Sequence, residues 1–522
     1  MDGRTKAIIA TLAVPSFMTG TDFTGVFMLV GPVGQEFSVD ITTSQWIINI
    51  YALGWAMMQV AGGRLGDMFG HRRVVQIGLA VFVLSSIACT LAPTIGVLIG
   101  ARAIQGIGAA IAWPCVLGLA MTSIKEEERG YAVGLLLGAV AMGNVVSPFL
   151  AGVLAGLGEW RLFFAINVLL AVASSLLIWR VMGRETFQPA DEKVDYAGMV
   201  TLAIAALALL YALDVGADWG WASLPILGLF ALFIVLAALF PWLERRVTDP
   251  MVPPPMMRNS QFMMAVACNG LAAPAAFFLF MYFPQYMNKV LGWSILWASI
   301  GMVPMLIVLA IFNVSIGRAY ERIGPRRLMV TGYGAIALGT ITVMVLSPSW
   351  GYVGLLPGMI LIGAGTGIAL GPSITATVSA VPAKRAGLAG GLAYMSHLGI
   401  GAIGVAGATA IIYAASLSAL GRGLDQAGIT ISSADQATLS AGGTTGEAAQ
   451  SILSGFSADQ VQQIDTLIAD AFVTGMHQAF WLALIAAAIG ILFSLRINKD
   501  KLAAAAAAEG ARSGGNGGGG SP

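Results

Sequence analysis

The segment at residues 63–73, Gly63-Arg64-Leu65-Gly66-Asp67-Met68-Phe69-Gly70-His71-Arg72-Arg73, returns altered at residues 317–327 as Gly317-Arg318-Ala319-Tyr320-Glu321-Arg322-Ile323-Gly324-Pro325-Arg326-Arg327. Five of the eleven positions are identical, and Asp67 becomes Glu321. Each copy sits where one long apolar run ends and the next begins. A basic turn repeated in this way implies two homologous halves set in parallel.

The runs themselves decide the solvent. Only 10% of the residues are charged and 57% are hydrophobic, whereas soluble domains carry about 25% charged residues. A helix crossing a bilayer needs about 20 apolar residues. The stretches 7–30, 45–62, 74–92, 95–121, 131–156, 162–181, 195–214, 222–243, 261–287, 295–316, 328–347, 351–378, 387–416 and 471–495 meet that need. The expectation is an all-α integral membrane protein with fourteen transmembrane helices in a 6 + 2 + 6 arrangement. Residues 1–190 form one six-helix half, 191–258 carry two additional helices with their linkers, and 259–502 form the second half. The tail 503–522, Ala-rich and then Gly/Ser-rich, is expected to be disordered.

Lys and Arg set the orientation. Of 27 basic residues, Arg102 lies inside a span and only Arg161, Lys289 and Arg422 fall on one side. The rest fall on the other, which the positive-inside rule assigns to the cytoplasm with both termini, in a cell (inner) membrane. The first apolar stretch is too long for a signal h-region and reads as a retained helix. Cys89, Cys115 and Cys268 fall within spans, so neither a disulfide framework nor a metal site is expected. The connection 417–470 is long and soluble in character. Its Ser457-Ala458-Asp459-Gln460 has capping-box form ahead of Val461, Ile464, Leu467 and Ile468. A helical cap over the outer face and an unordered insertion both fit. Two parallel halves of spanning helices are the build of a secondary transporter, not of a channel ring or a receptor.

Six features together resemble the major facilitator superfamily, and within it the fourteen-helix drug:proton antiporters, over about residues 7–496. The turn at 63–73 resembles the signature between the second and third helices. Arg102-Ala103-Ile104-Gln105-Gly106-Ile107-Gly108 is similar to the Arg-x-x-Gln-Gly-x-Gly pattern of the fourth. Ser147-Pro148 with Ala151-Gly152 stands where antiporters show Gly-Pro and Gly-Gly, a departure at Ser147. Trp160-Arg161 with Phe164 and Asn167 resembles the external turn into the sixth helix. Phe283-Pro284-Gln285-Tyr286 through Leu291-Gly292 is similar to a Pro-x-Tyr-x-Gln…Leu-Gly stretch with Gln and Tyr displaced. The two central helices complete the set. The resemblance implies alternating access, with export of lipophilic or cationic amphipathic compounds against protons. It also implies that the basic turn latches the halves on the inner side.

Asp22 is the carboxylate of the first span, and an ionised carboxylate in hydrocarbon costs roughly 2.5–3.5 kcal/mol. Helix rise puts Asp22 and Arg102 both about 10–12 Å below the outer boundary. They can form a coupling site in which Asp22 takes the proton and Arg102 responds, or a structural ion pair. Tyr51, Trp55 and Gln59 step along the second helix, and Tyr51 lies near the level of Asp22. With Gln105, Asn144, Phe283, Tyr286 and His397 they are the candidates for a substrate cavity. For Tyr51 an interfacial position fits equally, and for His397 ordinary packing competes with a proton relay. An aromatic, Met-rich ninth helix can adapt to varied ligands or simply face lipid.

Gly63, Gly66 and Gly70 permit a tight turn, Asp67 can face a helix end, and Arg64, Arg72 and Arg73 anchor at the interface. With Arg318, Arg327 and the helix-bending Pro148 they are the candidate conformational latch. Gly134, Gly138, Gly152 and Gly156, at i, i+4 spacing, suit close helix contact. The expected partners are a small amphipathic substrate, protons and the bilayer, with no nucleic acid. A monomer is expected, with an accessory efflux partner as the alternative. No cofactor is expected beyond a proton gradient. Neither clustered acid–base residues for an enzyme nor a nucleotide-binding Gly-x-x-x-x-Gly-Lys-Ser/Thr pattern occurs. Export of an endogenous metabolite or lipid-like product is the second reading, and a non-transporting sensor the third.

Overall fold

The computed structural model describes residues 2–39, 41–183, 195–345, 347–382, 385–442, 447–504 and 507. The described residues form helices and no strands. In the first half these are α1 (Gly3–Gly25), a 3-10 turn Val26–Leu29, α2 (Val30–Phe37), α3 (Ile41–Phe69), α4 (His71–Thr90), α5 (Ile95–Ser123), α6 (Glu126–Gly156) and α7 (Arg161–Val181). Next come α8 (Tyr196–Trp219) and α9 (Leu224–Glu244). The second half holds α10 (Pro254–Arg258), α11 (Ser260–Leu271), α12 (Ala273–Lys289), α13 (Ile295–Gly301), α14 (Val303–Ile323), α15 (Pro325–Met344) and α16 (Gly351–Ser379). It ends with α17 (Ala386–Ala427), α18 (Ser433–Gly442), α19 (Glu447–Leu453) and α20 (Ala458–Ser494).

Helix ends follow local chemistry. Asp2 accepts from the Thr5 amide at 2.7 Å and Asp195 from the Gly198 amide at 2.8 Å, while Ser457 and Gln460 close the anticipated capping box. The repeat is visible in the backbone. Gly70 and Gly324, equivalent positions of the two basic turns, take φ values of 91° and 82°. That region is open to glycine and strained for other residues, so both copies make the same reversal between helices.

Among the described residues, twelve helices are long and apolar enough to cross a membrane, fewer than the fourteen expected. The two differences have separate causes. α3 occupies the place of the expected second span and runs for 29 residues. However, its Asn49, Gln59, Arg64 and Asp67 dilute its apolar character. The expected tenth span is present as α13 and the 21-residue α14, separated by Met302, and 303–316 is its apolar part among the described residues. The first helix runs past residue 30, through the 3-10 turn, to Phe37.

In the first half α3 and α4 pack on α5, and α1 packs on α6. The counterpart packing in the second half sets α14 and α15 against α16. The halves meet where α6 packs on α14 and α3 on α17, and α8 lies over that second seam. α9 is apolar yet largely exposed, with Leu224, Leu227, Ile234 and Val235 bare, the surface expected against lipid. Within 417–470 the structure places the end of α17, then α18, α19 and the start of α20. Leu420, Leu424, Ile429, Leu439, Ile464 and Ile468 form a small separate core there. Part of the loop 182–194 (residues 184–194) and the tail from residue 508 onward lie outside the described residues.

Candidate functional site

α1 brings Asp22 into the middle of the first half by running tightly against α6. A Cβ on Gly143 would meet the Thr21 amide nitrogen at 2.7 Å, so the two backbones are nearly in contact. Ser16 and Thr19 donate to the carbonyls of Leu12 and Pro15, both at 2.8 Å, satisfying hydroxyls that face no water. Ser147, the departure from the Gly-Pro pattern, donates to the Thr21 carbonyl. The serine therefore ties α6 to α1 one residue before the carboxylate.

Asp22 is 0% exposed and Arg102 1%. One guanidinium nitrogen of Arg102, Nη1, donates to both Asp22 oxygens, at 3.1 and 2.9 Å, and to Gln105 Oε1 at 2.6 Å. Arg102 Nε donates to the Ile47 carbonyl at 2.8 Å, and the guanidinium lies 4.1 Å from the centre of the Tyr51 ring. Asn167 donates to Asp22 Oδ1 at 2.6 Å, and Gln105 Nε2 donates to Ser86 Oγ at 2.8 Å. α1, α3, α4, α5 and α7 thus each contribute to one dry polar cluster. Such a cluster is stable while its charges stay paired and its lone pairs satisfied.

Ser86 and Asn167 are absent from the sequence-based candidates for the cluster. Asn167 was detectable: Trp160, Phe164 and Asn167 fall at i, i+4 and i+7, one helical face, and a carboxamide there has no water to face.

From Tyr51 a line of rings crosses the seam between halves. Trp55 lies 5.7 Å from Tyr51 and 5.6 Å from Phe23, and it stacks on Tyr394 of α17 at 5.4 Å and 27°. Trp113 meets Tyr394 edge-on at 5.8 Å, and His397 follows at 6.0 Å. The His397 Nδ1 lies 3.0 Å from the Asn269 carbonyl, and its ring is edge-on to Phe277. Tyr394 and Trp113 also escape sequence reading, since nothing local says which aromatic residues of α5 and α17 face each other. The indole nitrogens of Trp55 and Trp113 and both amide atoms of Gln59 are buried without a hydrogen-bond partner among the described residues. Donors in this condition are the groups that a bound molecule or water would satisfy.

The remaining candidates lie elsewhere. Phe283 of α12 packs on Phe480 of α20 at 6.1 Å, and the hydroxyl of the buried Tyr286, also of α12, has no partner among the described residues. The Asn144 carbonyl accepts from Thr24 at 3.2 Å. A cavity of about 260 Å³ opens between α8, α9, α11 and the α3–α17 seam, walled by Ala56, Leu209, Phe240, Phe262, Leu392 and Met395.

At the basic-turn end, Asp67 accepts from the amides of Gly387 and Leu388 at 2.8 and 2.7 Å, the free N–H groups that open α17. His71 Nε2 stands 3.3 Å from the same carboxylate. A Cβ on Gly63 would strike the Gly387 carbonyl and approach the Leu388 amide to 3.1 Å. Arg64 is buried, Arg72 donates to the Trp179 carbonyl at 2.7 Å, and Arg73 and Arg327 are exposed. The Arg318 side chain lies outside the described residues. Pro148 sits inside α6. Of the glycines expected to make close helix contacts, Gly138 meets Val314, but a Cβ on Gly152 or Gly156 would meet nothing within 4 Å. Those two face open space on a different side of α6 from Ala151, Leu154 and Ala155, which pack on the first half, and this corrects the packing reading.

Hydrogen bonds that join the halves at the basic turn, a buried charged cluster and an aromatic seam, set in two repeated helix bundles, define a membrane transporter. The chain belongs to the Major Facilitator Superfamily, whose family model matches residues 12–406. It is 30% identical over 377 residues to the Multidrug resistance protein Stp of Mycobacterium tuberculosis, covering 72% of this chain and 70% of that one. It is 31% identical over 395 residues to the Puromycin resistance protein pur8 of Streptomyces alboniger, covering 74% and 77%. The fold is similar to that of the proton:xylose symporter XylE, with a TM-score of 0.61 at 14% identity, covering 96% of this chain and 99% of that one.

Proposed function

We propose that the chain exports lipophilic or cationic amphipathic compounds by alternating access, with Asp22 as the site of proton exchange. The observation that carries this reading is the Asp22 carboxylate itself. It is sealed from water, held by Arg102, Gln105 and Asn167, and joined through Tyr51 to the aromatic seam where the halves meet. Protonating Asp22 removes the charge that holds Arg102, and the guanidinium must then find other acceptors. That rearrangement lies against Tyr51 and Trp55, so proton and substrate occupancy act on the same two rings. Relatives named for multidrug and puromycin resistance support the substrate class.

In this reading α3 and the α13–α14 pair are also crossings, which brings the total to fourteen. The basic turns then lie in the cytoplasm with both termini, in the inner membrane. Residues 1–190 and 259–502 act as the two rocking bodies, and the protein works as a monomer. Asp67 on the α17 amides closes the cytoplasmic side. The apolar cavity between α8, α9 and the α3–α17 seam favours a second reading, export of a lipid-like product.

The test uses purified protein in sealed vesicles with an imposed pH gradient and a fluorescent lipophilic cation. Movement should follow the gradient in the native protein and be lost in Asp22→Asn. Movement that survives the substitution would remove Asp22 from coupling. No movement by the native protein would turn the substrate assignment to the lipid-like product.

A further inference from the structure

A second pair of acids is buried far from Asp22, and neither belongs to the cluster or the latch. Asp195 caps the start of α8 and Glu244 ends α9, and they are 7% and 2% exposed. One oxygen of each is accounted for: Asp195 Oδ1 accepts from the Gly198 amide at 2.8 Å, and Glu244 Oε2 from the Val252 amide at 3.0 Å. The other two, Asp195 Oδ2 and Glu244 Oε1, have no donor among the described residues. Both rest against the same face of Gly198, where a Cβ would come within 2.6 Å of the glutamate oxygen and also strike the aspartate oxygen. Each carboxyl is within hydrogen-bonding reach of the other.

Two orphaned acceptors that face each other lack one thing, a proton between them. We propose that Asp195 and Glu244 bind a single shared proton at neutral pH, forming a protonatable clasp between the ends of the two additional helices. As two bare carboxylates, each would leave a buried acceptor unpaired and repel the other. With one proton, the acid O–H donates to the facing carboxylate and both orphans are satisfied.

The other charges around the pair fit this state. Arg64 of the basic turn, itself buried, is within electrostatic reach of Glu244. Arg245 and Arg246 point into solvent, Arg246 over the Trp242 ring at 3.8 Å, and Asp249 has an interaction of its own. Among the described residues the two acids leave an excess of negative charge in a dry place, and a proton reduces it. The clasp therefore sits beside Arg64, in the turn whose Asp67 holds the halves together. Losing its proton frees Glu244 to draw on Arg64. The site is separate from Asp22 and does not depend on which compound is exported.

The experiment is infrared spectroscopy of the full-length protein in lipid nanodiscs over a pH series, in the Asp22→Asn background so that Asp22 contributes nothing. A protonated-carboxyl absorption should be present at neutral pH, disappear in mildly alkaline buffer, and be lost in both Glu244→Gln and Asp195→Asn. Each amide can donate to the remaining carboxylate, so both variants keep the clasp closed without a proton. Thermal unfolding gives an independent readout. The proton is held only in the folded pair, so the native protein should lose stability as pH rises through its release, while Glu244→Gln should not. Absence of the absorption at neutral pH in the Asp22→Asn protein would overturn the proposal without any second variant. So would an absorption that survives both substitutions, or a stability that responds to sodium and not to acid.

Discussion

Trp55 of α3 and Tyr394 of α17 stack at 5.4 Å with their planes 27° apart, the one aromatic stack among the described residues that joins the two halves. Trp55 also touches Tyr51, on whose ring the Arg102 guanidinium lies. A change in the charge of Asp22 is thus three contacts away from the seam.

The stack sets a first prediction. An aromatic pair contributes about 0.5–1.5 kcal/mol beyond its area. Tyr394→Ala should weaken binding of a lipophilic cation by about threefold to tenfold, and Tyr394→Phe should keep most of it, because stacking rather than the hydroxyl is at stake. Quenching of tryptophan fluorescence by the ligand measures both.

The Asp22–Arg102 pair predicts a thermodynamic asymmetry. Removing one partner of a buried pair costs about 3–5 kcal/mol, whereas replacing both with neutral groups of similar size is much closer to neutral. Arg102→Met alone should therefore lower the unfolding temperature well below that of the Asp22→Asn/Arg102→Met double variant. Unfolding in detergent of the native protein, Asp22→Asn, Arg102→Met and the double variant, compared as a double-mutant cycle, checks this. Additive effects would mean that the two charges do not act on each other.

How far the sequence foretells this site depends on the kind of information required. Asp22 and Arg102 could be matched because helix rise converts residue number into depth, and their contact at 2.9 Å agrees with equal depth. Depth alone does not give rotation. That is why Ser86 and Asn167, which reach the cluster from α4 and α7, did not emerge from the sequence as its members. The same holds for Tyr394, whose role needs the α3–α17 register. Helix positions were legible from hydropathy wherever a helix is apolar throughout. α3 is the exception, less apolar than the other long helices because its Gln59 and Arg64 are buried against protein. Gly152 and Gly156 show the opposite error, a packing pattern with no neighbour to pack on.

Asp67 supplies a conformational prediction. A hydrogen bond to a charged acceptor contributes about 1.5–3 kcal/mol, and Asp67 accepts two from α17. Asp67→Ala should reduce the population closed at the basic-turn end by at least about tenfold. Spin labels at the exposed Arg73 and Arg327 would report longer and broader distances. An unchanged distribution would leave Asp67 with no part in holding the halves.

Glycine substitutions give a paired test. Gly387→Ala would put a Cβ 2.7 Å from the His71 ring and 2.8 Å from Asp67 Oδ1, so it should abolish transport while leaving each half folded. Gly152→Ala meets open space and should raise stability by about 0.5–1 kcal/mol through helix propensity alone. Transport assays and unfolding curves of the two variants should therefore move in opposite directions.

The small separate core at 417–470 gives the molecule a handle. α17 has 42 residues and α20 has 37, lengths of about 63 and 56 Å, against a hydrocarbon layer of about 30 Å. Ser416 donates to the Ala471 carbonyl at 3.1 Å, and Leu420 and Leu424 of α17 share a core with Ile464 and Ile468 of α20, so the two rods move as one. A rotation of about ten degrees about the middle of α17 would swing its far tip by about 5 Å, from its length alone. The projecting tip is a lever arm. A dye attached there would report movement of the second half without entering the seam.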